Sequence, residues 1–331
     1  MGNQKRTLHL NLFLSSLGHH EAAWRHPSSR VEDIIDFSHF QRLAQKAEQA
    51  KLDSLFLADR YATSRKAVKY GAISGLEPLT LLSALAVVTS RIGLIATVST
   101  SFNEPFNLAR RCASLDHLSK GRAGWNIITS GTDGEAQNFN CERIPEHHLR
   151  YERAAEFLDV TLKLWDSWEA DALIQDKASG IYADNSKVHE FNHKGKHFAV
   201  RGPLNLPRSP QGRPLLVQAG SSEDGKDFAA RYAEAIFTAQ QSLADAQAFY
   251  ADVKSRVARY GRSPEQVVIL PGICPIIGES EAEAKEKEAQ LHELTHPAYS
   301  LLQLSNRIGY DLSSYPLDGP LPELPATAQI A

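Results

Sequence analysis

Several side chains in this sequence are of a type and spacing that can do chemistry. His147 and Tyr151 lie four residues apart in Glu146-His-His-Leu-Arg-Tyr-Glu-Arg-Ala-Ala-Glu-Phe157. That spacing puts an imidazole and a phenol on one helix face, if the helix begins that early. Gly220-Ser221-Ser222 ends an apolar run and opens a helical one. Hydroxyls and free backbone N–H groups at such a junction can hold a phosphate, although a plain serine cap is the commoner use of the pattern. Asp59 closes Leu55-Phe-Leu-Ala-Asp59, where its carboxylate can serve a site or simply pair with Arg60. Thr97 and Thr100 end another apolar run, and Asn126 follows Trp125 in Gly121-Arg-Ala-Gly-Trp-Asn-Ile-Ile-Thr-Ser130. The Asn126 amide can bond the edge of a bound ring or satisfy backbone in the interior. His19, His20 and Trp24 follow the first apolar run like the wall of a substrate pocket, and a histidine there can protonate or steer a reacting group. Adjacent histidines without a carboxylate at helical spacing are a poor metal pattern, so no metal is expected.

The elements that must position these groups alternate between strand and helix. Strands are predicted at 8–14, 53–59, 92–99, 123–129, 214–220, 235–239 and 267–277. Helices are predicted at 37–50, 77–89, 105–118, 151–168, after 224, at 243–260 and at 280–294. Seven such steps predict a parallel sheet curled into a TIM-like (β/α)8 barrel with insertions, short of its last β/α unit. The chemical residues then fall at the carboxyl ends of the strands, where barrels build their sites. No glycine fingerprint joins the first strand to the first helix, which weighs against a dinucleotide fold. The chain reads as one barrel domain over 1–331. Residues 170–214 read as an insertion with a hairpin near 188–200, and 295–331 as an extended, proline-rich, truncated C-terminal segment.

Bulk properties narrow the class. The 331 residues are 42% hydrophobic and carry 36 Lys and Arg against 39 Asp and Glu, a formal net charge of -3. Nothing in that balance calls for nucleic acid or an anionic membrane. No apolar run of about 18 residues is present, so no membrane span is expected. Gly2 does not begin a myristoylation motif, because Thr7 misses the required hydroxyl position. Cys112, Cys141 and Cys274 are far apart, as expected of reduced thiols in a cytoplasmic protein.

Eight segments together resemble a known family. They are Gly18-His-His-Glu-Ala-Ala-Trp-Arg25, Leu55 to Asp59, Thr97-Val-Ser-Thr-Ser-Phe-Asn-Glu-Pro105, Gly121 to Ser130, His147 to Phe157, Gln218-Ala-Gly-Ser-Ser222, Pro271-Gly-Ile-Cys-Pro-Ile-Ile277 and Asp311 to Leu324. The sequence is similar to the bacterial luciferase-like flavin-dependent monooxygenases, in the group of the nitrilotriacetate, EDTA and dibenzothiophene-sulfone enzymes. The resemblance implies an oxygenase component that takes reduced FMN from a separate NAD(P)H:FMN reductase. With O2 as co-substrate, it would insert one oxygen atom into an amine carboxylate or an organosulfur compound.

The same resemblance implies that Asp59 and one of Thr97 and Thr100 contact the flavin ring, with Asn126 beside them as a candidate for the ring edge. Ser221 and Ser222 would contact the flavin phosphate or ribityl chain, and His147 and Tyr151 would bind the phosphate or close over the ring. His20, in the pocket wall, is the candidate catalytic residue. The resemblance also implies a homodimer or homotetramer. Two alternatives follow from it: a deazaflavin-dependent oxidoreductase of the same superfamily, and a truncated, catalytically defective homologue.

Overall fold

The computed structural model describes residues 7–15, 17–71, 75–320 and 322–324. Gly2, Leu321 and the end of the proline-rich segment from Pro325 lie outside the described residues. The chain divides into two compact units, one of residues 1–14, 37–60 and 76–273, the other of residues 15–36, 61–75 and 274–331.

The first unit is a parallel sheet with helices. Its strands are β1 (Asn11–Phe13), β2 (Ser54–Leu57), β3 (Gly93–Ser99), β4 (Ala123–Ile128), β5 (Leu215–Gln218), β6 (Ala235–Thr238) and β7 (Val268–Pro271), paired in that order. The helices are α1 (Phe37–Gln49), α2 (Pro78–Ala86), α3 (Pro105–Ser119), α4 (His147–Trp165), α5 (Glu223–Tyr232) and α6 (Leu243–Arg259). Pro78 and Pro105 each open a helix, where a missing N–H costs nothing.

Strand alternation sorts side chains onto two faces. Leu55, Leu94, Ala96, Val98, Trp125, Ile127 and Leu216 pack with helix residues such as Leu82, Leu85, Leu108, Phe157 and Leu164. The opposite face gathers Phe56, Ile95, Val217, Ala235 and Leu270, all from strands. That face is concave. Five strand spacings separate β1 from β6, about 24 Å if the sheet were flat, yet the rings of Phe13 and Phe237 lie 6.2 Å apart. The sheet therefore curls into most of a barrel. Among the described residues no pairing joins β7 to β1, and Leu8, Leu10 and Ile273 beside those edges are exposed.

Residues 170–214 lie between α4 and β5 and contain two small antiparallel ribbons, 173–176 with 181–183 and 193–194 with 199–200. The second ribbon is fastened to α4 by Glu156, which accepts from the N–H groups of His197 and Phe198 and from His193 Nε2.

The second unit holds the segment after β1, a short helix at Arg65–Val68, α7 (Glu281–Leu294) and α8 (Pro297–Ile308). Trp24 Nε1 donates to the carbonyl of Tyr70, and the Tyr70 ring lies 4.4 Å from that of His296. Two expectations need correction here. The segment from 295 is not extended throughout, because α8 occupies 297–308, with Pro297 in its first turn and Gly309 in a left-handed cap. The strand expected at 267–277 stops at Pro271, since Pro271 and Pro275 bring no N–H to a ladder.

Candidate active site

The carboxyl ends of the parallel strands carry most of the chemistry-bearing residues. Thr97 of β3 and Asn126 of β4 are paired in register, and both share the concave face with Ile95 and Gly124. Asn126 Nδ2 donates to Thr97 Oγ1 at 2.9 Å, while Asn126 Oδ1 is buried without a hydrogen-bond partner. A buried orphan acceptor in a folded protein asks for a donor from outside the chain. Trp125 faces the other way, into the helix layer, and its Nε1 donates to the carbonyl of Val98. Thr100 is spent on the backbone, its Oγ1 donating to the Ile128 carbonyl at 3.2 Å. The structure thus separates the two threonines that spacing alone left open, and only Thr97 meets Asn126.

Helix α4 begins at His147, earlier than the start predicted at Tyr151, so His147 and Tyr151 do share one face, with rings 5.0 Å apart. Arg150 on the same helix donates to the Ser130 carbonyl and reaches Thr129 Oγ1 at 3.4 Å, pinning the loop after β4. His148 points elsewhere and pairs with Glu146 at 3.6 Å.

Beyond β5, Ser222 caps α5 by accepting the Gly225 N–H at 3.1 Å. His147 Nε2 lies 3.2 Å from Ser222 Oγ, and His147 Nδ1 lies 2.7 Å from Asp224 Oδ2. A carboxylate only accepts, so Nδ1 carries the hydrogen toward Asp224 and Nε2 faces the serine. Gln218 Nε2 donates to the Tyr151 hydroxyl at 3.4 Å. Burial pushes the Tyr151 phenol above its ordinary pKa, against hydrogen bonds with Ser222, Gln218 and Thr129 that pull it down. Ser221 is exposed beside this group.

Two glycines make the cluster possible. A Cβ on Gly220 would stand 2.7 Å from the Tyr151 hydroxyl and 3.0 Å from the Gly225 Cα. One on Gly225 would meet that hydroxyl at 2.9 Å. Spacing alone had shown none of Arg150, Gln218, Gly225 or Asp224. Gly225 and Asp224 sit in the first turn after the serine pair, which is the one signal that could have flagged them.

Asp59 follows β2. Its Oδ1 accepts the Arg60 N–H at 2.8 Å, and among the described residues it forms no ion pair with the Arg60 guanidinium. Burial, aided by the charges of Glu77 and Glu135, raises its pKa from 3.8 to about 6 against that hydrogen bond. Ionisation is therefore harder in the folded state than in the unfolded one. A stability penalty should grow as pH rises from about 4 and level off above about 6. Melting temperatures of Asp59→Asn and the parent should coincide near pH 3.5 and diverge, with the variant higher, by pH 7. Parallel curves across that range would contradict the burial argument.

His20 belongs to the second unit. Its Nδ1 accepts the Ala22 N–H at 3.1 Å, and its ring lies 5.7 Å from that of His292. No helix among the described residues is long and apolar enough to cross a membrane.

Comparison with known proteins supplies the remaining facts. The family model described as luciferase-like monooxygenase matches residues 12–321. N-acetyl-S-(2-succino)cysteine monooxygenase of Bacillus subtilis (strain 168) is 52% identical over 332 residues, covering 100% of this chain and 75% of that protein. Nitrilotriacetate monooxygenase component A of Aminobacter aminovorans is 47% identical over 335 residues, with 98% of this chain and 74% of that protein covered. A crystal structure of riboflavin lyase with modified FMN and its substrate riboflavin superposes with a TM-score of 0.88 at 33% identity, covering 94% of this chain and 72% of that one.

Proposed function

This chain belongs to the luciferase-like monooxygenase family, and on that premise we propose that it is the oxygenating component of a two-component system. It would bind reduced FMN made by a separate NAD(P)H:FMN reductase and insert one atom of O2 into a small organic substrate, the other atom leaving as water. The name of the Aminobacter relative, a component A, supports a separate partner. Flavin is supported by the riboflavin lyase structure, which holds modified FMN.

The observation that carries this reading is the convergence of Tyr151, Gln218, Ser222 and His147 around the glycine pair at the start of α5. Only small residues at 220 and 225 let the phenol, the hydroxyl and the backbone of the first turn approach closely enough to share one anion, as a flavin phosphate requires. The orphan Asn126 Oδ1 fits the other end of the same molecule, since an isoalloxazine ring offers an imide N–H. Bound reduced flavin supplies the electrons that activate O2.

The chain's own residues do the rest. Tyr151, Ser222 and His147 fix the phosphate. Asn126, oriented by Thr97, fixes the ring edge. Asp59, with its pKa near 6, is partly protonated at neutral pH and can donate or accept one proton at the strand ends. The phosphate end anchors a cofactor that must leave to be reduced again, so these contacts set its residence time.

By their names, the two relatives act on N-acetyl-S-(2-succino)cysteine and on nitrilotriacetate, both carboxylate-rich molecules built around sulfur or nitrogen. The substrate proposed here is of that class: a small polycarboxylate with a thioether or tertiary amine, oxidised next to the heteroatom. Anaerobic titration of the protein with reduced FMN tests the core of the reading, with binding in the micromolar range expected. Saturation absent below millimolar concentrations in folded protein would refute it.

A further inference from the structure

The first turn of α5 presents an electrostatic puzzle. If the proposed reading is right, a phosphate binds where Glu223 and Asp224 also stand, and two carboxylates beside a phosphate should repel it. Each carboxylate has been drawn away. Glu223 pairs with Lys226 at 2.6 Å and with Arg256, whose other partner is Asp252 at 2.8 Å. Asp224 is taken by His147 Nδ1 at 2.7 Å. The pairing of Glu223 joins α5 to α6. That of Asp224 reaches across to α4 and ends on the ring that touches Ser222.

We propose that Asp224 is a positioning residue for phosphate recognition: its carboxylate fixes the His147 ring so that Nε2 points at the Ser222 hydroxyl and the anion-binding turn, giving preference for a phosphorylated flavin over an unphosphorylated one. The inference rests on the flavin reading above. Without Asp224, the imidazole, about half exposed, keeps only the Ser222 hydroxyl at this helix end, which can donate or accept and so does not fix the tautomer. With it, Nδ1 is taken and Nε2 has one direction, toward Ser222. A single proton between Nε2 and a phosphate oxygen then makes a charge-assisted bond, whichever partner carries it. The other charged or titratable groups flanking the pair in sequence are Glu146, the N-cap of α4, His148, Arg150 and Tyr151 on α4, and Glu223 on α5. Of these, Glu146 and Glu223 have other partners, while Arg150 is turned to the Ser130 carbonyl.

The test is anaerobic binding of reduced FMN and reduced riboflavin to the full chain and to Asp224→Ala, Asp224→Asn, His147→Ala and the double alanine variant. Asp224→Ala should lose about tenfold in FMN affinity, the size of one charge-assisted bond, with riboflavin affinity unchanged. Asp224→Asn keeps an acceptor in place and should stay within about threefold of the parent. The double variant should bind FMN no more weakly than His147→Ala, because the two residues act as one unit. An unchanged FMN-to-riboflavin ratio in Asp224→Ala, or additive losses in the double variant, overturns the inference and leaves the flavin reading standing. A parent protein that binds neither flavin overturns both. Asp224 is itself about half exposed, so its truncation opens no buried hole and the folded variants can be compared directly.

Discussion

Gly225→Ala is expected to weaken binding of reduced FMN by roughly 10–100-fold, the cost of one or two lost charge-assisted hydrogen bonds, while the protein stays folded. The added Cβ would sit 2.9 Å from the Tyr151 hydroxyl and 3.0 and 3.1 Å from the Cα and C of Gly220. The phenol is the end of a side chain and can swing away. The Gly220 backbone continues β5 and cannot. The first turn of α5 must then move off the loop before it, or Tyr151 must abandon Gln218 and Ser222. Either movement spreads the groups proposed to close on one anion. Stability should change little, because alanine within a helix is favoured over glycine by about 1 kcal/mol, which offsets the crowding. Gly220→Ala should behave alike, since its Cβ would crowd Gln218 Nε2 at 2.6 Å as well as Tyr151. Anaerobic titration paired with thermal melting separates the two effects. Parental affinity in both variants would mean that the glycine pair has no part in binding flavin.

The contrast between that site and the sheet shows what a sequence makes visible. All seven strands overlap the predicted runs, because each is a stretch of apolar and β-branched residues bounded by polar ones, a local signal. Whole-helix features were legible for the same reason: Pro78 and Pro105 mark starts, and the apolar spacing of α1 marks its buried face. Errors cluster where local signals compete. Pro297 and Gly309 bracket α8 with ordinary start and stop residues, but the proline-rich stretch that follows drew the whole segment into an extended reading. At β7 an apolar run continued past Pro271, and hydropathy alone could not register the lost N–H.

The site divides in the same way. Asn126, Thr97 and Thr100 stand out as candidates because a polar residue in or just past a buried strand is conspicuous. Choosing Thr97 over Thr100 needed only strict alternation from Ile95, with Thr100 falling past the strand end. Asp224 was not identifiable, because an acid in the first turn of a helix is commonplace and gains meaning only from a ring 77 positions earlier. Gly225 is a similar case. A glycine in a helix reads as a weakness until the backbone of Gly220 is seen against it. Pairwise relations across the fold carry this information, and no window of sequence contains them.

The second large effect lies at the opposite end of the strands. Arg122, just before β4, donates from Nε to the Ser119 carbonyl at 2.7 Å and from Nη1 to the Ile92 carbonyl at 2.7 Å. Its Nη2 reaches the carbonyls of Ala86 at 2.9 Å and Thr89 at 3.1 Å. One guanidinium thus gathers the last carbonyls of α2 and α3 and the entry to β3, all groups that a helix end leaves without partners. Burial pulls its pKa below the ordinary value, with the nearby Glu48 carboxylate opposing. Glu48 in turn accepts the N–H groups of Ser90, Arg91 and Ile92. Arg122→Met keeps the length of the stem and removes every donor, so several partly buried carbonyls lose their partners together. The expected loss is roughly 3–5 kcal/mol, since each orphaned group costs about 1–3 kcal/mol and the losses overlap. Arg122→Lys should recover little of it, because one ammonium cannot span four carbonyls in this fork. Equilibrium unfolding in urea measures the loss. Titration of the folded variant at low temperature should return the parental affinity for reduced FMN, because barrels separate stability at the amino ends of their strands from chemistry at the carboxyl ends. An Arg122→Met protein as stable as the parent would contradict the network, and one that is stable but blind to flavin would contradict that separation.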